Sequence, residues 1–450
     1  MNTSLIILAA GKGTRMNSDL PKVLHPIAGD PMLIHAMAAG ATLEPIHTVV
    51  VAGHGAEEVT KAAIAYDEEA TVVVQAEQLG TGHAVAQARD ALKDFEGTAI
   101  VLYGDTPFVS PETLANMMQA AQSTDVVVLG FEAADAGRYG RLVMEGTSLE
   151  RIVEFKDASE AERAITLCNS GVIACNAALL FDLIDAVGND NASGEYYLTD
   201  IIGLARARGL SATAVTCDEA ETLGVNSRAQ LAEAEAAFQS RARATLMEDG
   251  VTLQAPDTVF LARDTVIGRD TLVEPNVFFG AGVTVESGAH IRAFSHLEGC
   301  HVSRGAVIGP YARLRPGAEL AENTRVGNFV EIKNATVSEG AKVNHLSYVG
   351  DAFVGAHANI GAGTITCNYD GVMKHHTHIG AHSFIGSNTM LVAPVSVGDG
   401  AMTGSGSVIT SDVEPDALAL ARAPQVEKPG MARKLMDKLK AQKARQQRSS

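Results

Sequence analysis

The chain has 450 residues, of which 46% are hydrophobic, so it is long enough for two or three domains with full cores. Its net charge of −18 argues against broad binding to nucleic acid, although a nucleotide needs only a few local cations. Five cysteines without CxxC spacing predict neither a disulfide framework nor a zinc site, and no apolar segment is long enough to insert into a membrane, so we expect a cytoplasmic protein.

Short apolar runs alternate with helical patterns up to about residue 225. The runs "SLIILAA", "AIVLYGD" and "SGVIACN" predict buried strands, and "PMLIHAMAAGATL" predicts a helix between two strands. This alternation is typical of a mostly parallel sheet with helices on both faces. We therefore predict a Rossmann-like α/β domain over residues 1–225, with ligands bound beyond the carboxyl ends of its strands.

A glycine-rich loop, "LAAGKGTRMNSDLPK", follows the first predicted strand. Gly11 and Gly13 allow backbone angles that other residues avoid, and Lys12, Arg15 and Lys22 add positive charge. The loop is neither a Walker motif nor a complete dinucleotide fingerprint. Its G-x-G-T-R-M pattern, followed by P-K, resembles that of sugar-nucleotide pyrophosphorylases. A purely structural turn with solvated cations is the alternative, which this spacing disfavours.

Two further segments extend the predicted nucleotide site. The strand "AIVLYGDTPF" delivers Asp105 to the carboxyl edge of the sheet, where a carboxylate suits Mg²⁺. A lone Asp after a strand is more often a turn residue, but the glycine-rich loop favours the metal. In "QAEQLGTGHA", Gln75, Gly80 and Thr81 are suited to hydrogen-bond a base and approach it closely.

The pattern changes after residue 225. Residues 226–250 predict a linker helix rich in Ala, Glu and Arg. From residue 251 an aliphatic residue recurs every six positions, a period that fits neither a helix nor an ordinary strand, and three such hexads make one triangular coil. We predict a left-handed parallel β-helix over residues 251–423, with about nine coils of about 18 residues. Its inward residues are Ile267, Val273, Phe279, Val285, Ile291, Leu297, Val302, Ile308, Leu314, Leu320, Val326, Ile332, Val337, Val343, Val349, Val354, Ile360, Ile379, Ile385, Leu391, Val397, Thr403 and Ile409.

The β-helix also carries residues suited to catalysis. In "VNHLSYVGD", His345 lies just outside the inward Val343, so it projects from the coil and can take a proton near neutral pH. An isolated histidine there is more often a surface residue, but its neighbours favour a site. Arg315 and Lys333 are 18 residues apart, so they should stack on adjacent coils as two cations fit for a phosphate.

Two other charged segments have structural interpretations. The run "HHTH", with His375, His376 and His378, is predicted to be a solvated turn rather than a metal site. The last twenty residues hold seven basic residues and one acidic residue, so residues 424–450 predict a basic tail, either a solvated helix or a disordered end.

Both halves together, in this order, resemble the bifunctional N-acetylglucosamine-1-phosphate uridyltransferase/glucosamine-1-phosphate N-acetyltransferase family over nearly the whole chain. The resemblance implies uridylyl transfer from UTP at the first site, with Mg²⁺ on Asp105 and Asn226 and with Arg15 and Lys22 neutralising charge. It implies that the uridine nucleotide and N-acetylglucosamine are bound by Leu8, Ala9, Ala10, Gly11, Lys22, Gln75, Gly80, Thr81, Tyr103, Gly104, Asp105, Gly140, Glu154, Asn169 and Asn226.

The same resemblance implies a second site that acetylates glucosamine 1-phosphate, with His345 as the base and acetyl-CoA as co-substrate. Glucosamine 1-phosphate would be bound by Arg315, Lys333, Tyr348 and Asn359. Acetyl-CoA would be bound by Ala362, Asn368, Tyr369, Ser387, Ser405 and Arg422, with a backbone contact alone expected at Ser405. Hexapeptide prisms commonly form trimers, so the family pattern implies a homotrimer.

Two alternatives remain at this point. The chain could be a glucose-1-phosphate-class pyrophosphorylase whose β-helix is not catalytic, or a nucleotide-sensing scaffold. His345, Lys333, Asn368 and Tyr369 favour a catalytic β-helix, since a passive rod has no reason to carry them together. The leading hypothesis is therefore an enzyme that makes UDP-N-acetylglucosamine, a precursor of cell-envelope polysaccharide.

Overall fold

The computed structural model describes residues 2–448; Met1, at the start of the predicted first domain, and the last two residues of the predicted tail lie outside the described residues. The chain forms two compact units, Met1–Thr245 with Phe260–Asp264 and Leu246–Val259 with Thr265–Ser450. The predicted domain boundaries at 225, 250 and 423 stay predictions, because compactness does not show where an activity ends.

The first unit holds an α/β sheet, as predicted. Its strands are β1 (Thr3–Ala9), β2 (Pro26–Ile27), β3 (Asp30–Pro31), β4 (His47–Ala52), β5 (Thr71–Val74), β6 (Thr98–Tyr103), β7 (Val126–Glu132), β8 (Arg141–Glu145), β9 (Ser148–Val153), β10 (Leu167–Asn176) and β11 (Ala212–Cys217). The helices of the chain are α1 (Met32–Ala41), α2 (Ala56–Tyr66), α3 (Thr81–Ala86), α4 (Pro111–Ala120), α5 (Glu160–Arg163), α6 (Ala177–Ile184), α7 (Asp200–Ala207), α8 (Arg228–Glu248) and α9 (Met431–Arg448).

The main path of this sheet runs β11-β7-β10-β6-β1-β4-β5. All neighbours are parallel except β10, which is antiparallel to both β6 and β7. Alternate residues of β1 enter two different cores: Leu5 and Ile7 pack on one face, and Ile6 and Leu8 on the other. Because both faces are covered, the central strand is a continuous apolar run rather than an alternating one.

The second unit is a β-helix of three columns of parallel strands, and its six-residue period is confirmed. One column has ten strands, against the predicted nine or so coils, and all the predicted inward residues from Ile267 to Ile409 are buried. The strands are β12 (Thr252–Leu253), β13 (Phe260–Leu261, grouped with the first unit), β14 (Val266–Ile267), β15 (Leu272–Val273), β16 (Phe278–Phe279), β17 (Thr284–Val285), β18 (His290–Ile291), β19 (His296–Leu297), β20 (Cys300–Val302), β21 (Val307–Ile308), β22 (Arg313–Leu314), β23 (Ala318–Leu320), β24 (Arg325–Asn328), β25 (Glu331–Val337), β26 (Lys342–His345), β27 (Tyr348–Val354), β28 (Asn359–Ile360), β29 (Ile365–Cys367), β30 (Thr377–Ile379), β31 (Phe384–Ile385), β32 (Met390–Val392), β33 (Val395–Val397), β34 (Met402–Thr403), β35 (Val408–Ile409) and β36 (Leu418–Ala419).

The tail forms α9, whose described side chains are exposed, so the helical alternative holds. The five cysteines are unpaired. In residues 2–448 there is no helix with both the length and the apolar character needed to span a bilayer.

Candidate active sites

The glycine-rich loop uses its two glycines for different purposes. Gly13 has a left-handed φ of 60°, and a Cβ there would lie 2.5 Å from the Cβ of Lys22. Only glycine combines this angle with so close an approach. Gly11 has no left-handed angle; a Cβ there would meet nothing within 4 Å, because the residue borders open space. The loop therefore brings Lys22 against its backbone and leaves room for a ligand beside Gly11.

That open space is a cavity of about 280 Å³ at the carboxyl ends of β1 and β6. Most of the predicted nucleotide residues meet there, although they come from four separate segments. Those that line the cavity are Leu8, Ala10, Gly11, Lys22, Gln75, Gly80, Thr81, Tyr103 and Asp105. Sequence reasoning missed Val23, Gln78, Ala84 and Glu195, which also line it.

Gln78 shows what the missed residues contribute. Its side-chain Nε2 donates to the carbonyl of Ala10 at 3.1 Å, which ties the segment after β5 to the glycine-rich loop. The motif "QAEQLGTG" contains this residue, but nothing in its spacing distinguishes Gln78 from Gln75 before the fold is known. Gln75 instead donates to the carbonyl of Gly80 at 3.1 Å.

Lys22, Asp105 and Asn226 converge at the cavity. The Lys22 ammonium bonds the Asp105 carboxylate and donates to Asn226 Oδ1 at 3.0 Å. Asn226 is not the cap of α8, since Ser227 Oγ accepts from the N–H of Gln230 at 3.3 Å in that role. A carboxylate and an amide oxygen, distant in sequence, therefore share one cation.

Three residues predicted to bind the sugar also meet. The N–H of Asn169 donates to the carbonyl of Gly140 at 2.9 Å. A Cβ on Gly140 would lie 3.4 Å from Glu154 Oε1 and 3.6 Å from the Cβ of Asn169. Glu154 also lines a second cavity of about 500 Å³, together with Arg138, Phe155, Lys156, Ser193 and Tyr197.

Burial changes the titration of two groups at this site. It raises the pKa of the Glu154 carboxyl, partly opposed by a hydrogen bond from the Thr199 hydroxyl at 3.3 Å. Burial also raises the pKa of Tyr103, and the nearby carboxylates of Asp105 and Glu154 raise it further. The Tyr103 hydroxyl is therefore a hydrogen-bonding group rather than an acid near neutral pH.

Besides Asn226 and the three residues predicted to bind the sugar, three more predicted residues do not line the first cavity. Ala9 is buried in the sheet, where its neighbours Leu8 and Ala10 reach the lining. The N–H of Gly104 donates to the carbonyl of Leu8 at 2.9 Å, so this glycine joins the two central strands. Arg15 is exposed in a 3₁₀ turn, Thr14–Met16.

On the β-helix, the predicted stacking of Arg315 and Lys333 is supported by the register, which pairs Leu314 with Ile332. Each cation has a carboxylate partner. Arg315 Nη1 lies 2.8 Å from Glu331 Oε1, and Lys333 Nζ lies 3.8 Å from Asp351 Oδ2. The two side chains form a cationic pair whose charge is partly balanced, a detail that the spacing alone did not reveal.

Residues 368–376, between β29 and β30, interrupt the six-residue period; this inserted loop brings a third cation to Arg315 and Lys333. A side-chain hydrogen bond with Lys333 and the like charge of that residue lower the pKa of Lys374, so the two amines lie close together. The loop is held by Asp370, which accepts from the N–H groups of Val372 and Met373 at 2.8 and 2.7 Å. Sequence reasoning missed Lys374, because a residue in an insertion has no six-residue register.

The histidine run is only partly a solvated turn. His375 has an acidic partner, Asp370, with its Nε2 2.7 Å from Oδ2, which the sequence analysis did not expect. His378 lies in β30 and stacks on Phe353 with ring centroids 4.8 Å apart. Within residues 2–448, no cluster of three or more His, Cys, Asp or Glu residues is arranged to hold a metal.

His345 is exposed at the end of β26, as expected from its position beside Val343. Its Nδ1 lies 2.9 Å from the side-chain oxygen of Asn328 on the preceding coil. An amide oxygen only accepts, so Nδ1 donates and Nε2 is left to take a proton. A cavity of about 410 Å³ lies beside the ring, lined also by His290, Arg292, Arg325 and Asn344.

His345 begins a column that continues through three residues predicted to bind acetyl-CoA. Val343 pairs with Ile360, Ile360 with Ile385, and Ile385 with Thr403. Two residues beyond these positions stand His345, Ala362, Ser387 and Ser405. Arg422 joins the far end, since its Nη1 donates to the carbonyl of Ser405 at 2.6 Å.

The other residues predicted for acetyl transfer lie on neighbouring strands. Asn359 begins β28, and Tyr348 begins β27 in register with Glu331. Asn368 is buried and its Nδ2 lies 3.5 Å from the Tyr348 hydroxyl. Tyr369 is exposed, with its hydroxyl donating to the carbonyl of Gly371 at 2.6 Å.

Comparison with known proteins defines the class of each half. The MobA-like NTP transferase domain family matches residues 5–171, and the bacterial transferase hexapeptide family (six repeats) matches residues 376–411. The chain is thus a nucleotidyltransferase sheet followed by a left-handed β-helix of the hexapeptide transferases.

Close relatives identify the family. "Bifunctional protein GlmU" of Roseobacter denitrificans is 72% identical over 100% of both chains, and that of Ruegeria pomeroyi is likewise 72% identical over 100% of both. The protein of that name from a Ruegeria species is 71% identical over 99% of both chains. The chain belongs to the GlmU family of bifunctional uridyltransferase/acetyltransferase enzymes of UDP-N-acetylglucosamine synthesis. A pyrophosphorylase with a non-catalytic β-helix is not favoured, because the match covers both halves.

Proposed function

We propose that the first unit transfers UMP from UTP to N-acetylglucosamine 1-phosphate at the cavity beside Gly11. The observation that carries this assignment is the convergence of Lys22, Asp105 and Asn226 at the strand ends. The predicted base-binding residues Gln75, Gly80 and Thr81 line the same cavity. Gly140, Glu154 and Asn169 form the neighbouring sugar subsite.

The residues at this place fit Mg²⁺. Asp105 and Asn226 offer two hard oxygen donors that already share a cation, the Lys22 ammonium. Mg²⁺ is usually held by one or two protein oxygens together with water and phosphates. Bound there, Mg²⁺ would supply positive charge to the phosphates of UTP.

The chemistry at this site requires positioning and neutralisation rather than a base. A phosphate oxygen of the sugar phosphate attacks the α-phosphorus of UTP, and pyrophosphate leaves. The attacking phosphate is already ionised near neutral pH, so no proton has to be removed. Lys22 and Arg15 reduce the repulsion between the two anions and stabilise charge that develops in the transition state.

We propose that the second unit transfers the acetyl group of acetyl-CoA to the amine of glucosamine 1-phosphate. His345 Nε2 accepts the amine proton, because Asn328 holds the other ring nitrogen as a donor. The nitrogen attacks the thioester carbonyl, and its bond to carbon forms as the carbon–sulfur bond breaks. The leaving CoA thiolate takes the proton from His345 and departs as the thiol. Arg315, Lys333, Tyr348 and Asn359 bind the sugar phosphate, and the closeness of Lys374 to Lys333 supports a contact from Lys374 as well.

Acetyl-CoA is assigned to the column that starts at His345. A thioester lying along Ala362, Ser387 and Ser405 would end its acyl group near the base, and Arg422 supplies charge at the far end. Asn368 and Tyr369, which follow β29, are assigned to acetyl-CoA as well. The product of this site is the sugar phosphate that the first site consumes.

We propose a homotrimer formed through the β-helix. Phe294, Tyr311 and Phe329 stack on successive coils with ring centroids 4.9 and 5.2 Å apart, and Leu346 continues the stripe. Each of these four side chains is at least 46% exposed. A continuous exposed apolar stripe of this kind is typical of an interface. A cytoplasmic location stays a prediction.

The test is to incubate the chain with glucosamine 1-phosphate, acetyl-CoA, UTP and Mg²⁺, and to follow free thiol and pyrophosphate separately. Asp105→Ala should abolish pyrophosphate release when N-acetylglucosamine 1-phosphate is supplied, and should leave thiol release intact. His345→Ala should do the reverse. A folded variant that lost both activities, or a wild-type chain that released no CoA, would refute the two-site assignment.

A further inference from the structure

Asp351 is a buried carboxylate at which both halves of the acetyl-transfer site meet. It is 7% exposed and has a left-handed φ of 48° in the middle of β27. Its Oδ1 accepts from Asn334 Nδ2 at 2.6 Å, and its Oδ2 accepts from Asn368 Nδ2. The same Oδ2 lies 3.8 Å from the Lys333 ammonium.

The contacts of Asp351 lead to both proposed substrates. Lys333 is assigned to the sugar phosphate and Asn368 to acetyl-CoA, and Asn368 also lies 3.5 Å from the Tyr348 hydroxyl. One carboxylate oxygen therefore fixes which end of the Asn368 amide faces inward, so that the amide oxygen is left for a ligand. It also limits where the Lys333 ammonium can lie.

The carboxylate is ionised in the folded chain. Burial alone would raise its pKa, but the hydrogen bonds from Asn334 and Asn368 and the Lys333 charge together hold the pKa of Asp351 below its ordinary value. A buried charge so paired is costly to disturb, because removing it leaves its partners unsatisfied. Lys374 lies close enough to Lys333 and Asp351 to depend on the same charge.

We propose that Asp351 is a positioning residue for acetyl transfer, which aligns the sugar-phosphate and acetyl-CoA contacts by holding Lys333 and Asn368 on one carboxylate. The inference rests on the proposed acetyltransferase function. Asp351 does not itself remove the amine proton, which is the role of His345. Its effect is on the mutual orientation of the two bound substrates, so it acts mainly on kcat.

The test is Asp351→Asn, which keeps the shape and the tolerance for a left-handed angle but removes the charge and turns one acceptor into a donor. We expect kcat for acetyl transfer to fall by about 10- to 100-fold, more than KM changes for either substrate. Uridylyl transfer in the same chain should stay within about twofold of the wild type.

Asp399→Asn is the control for loss of a hydrogen-bonded carboxylate from the β-helix: Asp399 is exposed, and its Oδ1 accepts from the N–H of Ala381 at 2.7 Å, outside the proposed site. It should leave kcat unchanged. If Asp351→Asn does not fold, Asn334→Gly serves instead: Asn334 has a left-handed φ of 44°, which glycine adopts freely, and loss of its amide should lower kcat about three- to tenfold.

A folded Asp351→Asn chain with wild-type kcat overturns the positioning role. So does a loss of acetyl transfer that appears only where the Asp351→Asn chain begins to unfold, because such a loss would show a merely structural role. A rise in KM as large as the fall in kcat would make Asp351 a binding group and would also overturn the inference. By contrast, a wild-type chain that never releases CoA refutes the proposed function itself, whatever Asp351 does.

Discussion

At the scale of single residues, the two sites use charge differently. In the first site, one cation, the Lys22 ammonium, bonds both Asp105 and Asn226. In the second site, three cations, Arg315, Lys333 and Lys374, lie close to carboxylates. Glu154 stands apart, because burial rather than a charged partner dominates its titration. The pH dependence of uridylyl transfer can therefore distinguish the contribution of the sugar subsite from that of the phosphate contacts.

Glu154 should make uridylyl transfer sensitive to mild acid. Its pKa lies above the ordinary value, so as pH falls it takes a proton earlier than a solvated glutamate, and the neutral form binds the polar sugar less well. We expect KM for N-acetylglucosamine 1-phosphate to rise as pH is lowered from neutral. Glu154→Gln should show a raised KM at all pH values and lack this rise. A parallel rise in the variant would assign the effect to the substrate phosphate instead.

Lys374 should strengthen binding of glucosamine 1-phosphate. Its ammonium lies beside Lys333, where a phosphate would relieve the repulsion between the two like charges. Lys374→Gln should raise KM for the amino-sugar phosphate about five- to fiftyfold, with a smaller effect on KM for acetyl-CoA. Steady-state kinetics at several salt concentrations measure this. An unchanged KM would place the phosphate elsewhere.

At the scale of elements, the β-helix depends on one inward residue per hexad. Val266 and Ile267 are neighbours in β14, yet Val266 is 57% exposed and Ile267 is 6% exposed. Truncation to alanine should therefore cost much more at Ile267 than at Val266, because only the inward position leaves a cavity.

Ile267→Ala should lower the free energy of unfolding of the β-helix by about 2–4 kcal/mol, and Val266→Ala by less than about 0.5 kcal/mol. The urea concentration that halves acetyl transfer measures the difference, and uridylyl transfer in the same samples reports on the first unit. Equal effects of the two variants would contradict the assignment of inward and outward residues.

The register of each column is set by pairing between whole strands, and a fixed sequence spacing does not predict it everywhere. The step from β28 to β31 is 25 residues because the inserted loop lies between them, whereas the step from β31 to β34 is 18. Counting by eighteen from Ala362 therefore fails across the loop, although Ser387 lies in the same column. Hydrogen bonds between coils set the register again after the loop, because two strands can pair whatever the number of residues between them in the sequence.

At the scale of the whole molecule, the exposed apolar stripe formed by Phe294, Tyr311, Phe329 and Leu346 predicts a trimer. The wild-type 47.0-kDa chain should sediment as a trimer. Phe329→Glu places a charge in the stripe, so it should shift the chain toward monomer, because a buried unpaired charge is costly at an interface. If the site needs residues from a neighbouring copy, acetyl transfer should fall with the trimer while uridylyl transfer persists.

Val266→Glu is the control for this prediction, because it adds the same charge at an equally exposed position outside the stripe. It should remain trimeric by sedimentation. A wild-type chain that sediments as a monomer, or a trimeric Phe329→Glu chain, would show that the stripe is not the interface.

The sequence by itself determined both architectures. Alternating strands and helices, and then a six-residue period sustained over more than twenty positions, leave few folds that bury those residues. It also marked the loop around Gly13 and the stacking of Arg315 on Lys333, because tight turns and coil repeats are local properties.

Only the tertiary structure decided which distant residues share a charge or a hydrogen bond. The convergence of Asn226 on Lys22 and the closeness of Lys374 to Lys333 join segments that have no common period. The partners of Asp351 follow the coil repeat, but its burial and its hydrogen bonds do not follow from that spacing. Their side chains meet because strand ends and coils are brought together by packing of the apolar core. Local sequence patterns do not determine distances between such side chains, so these contacts could not be predicted from the patterns alone.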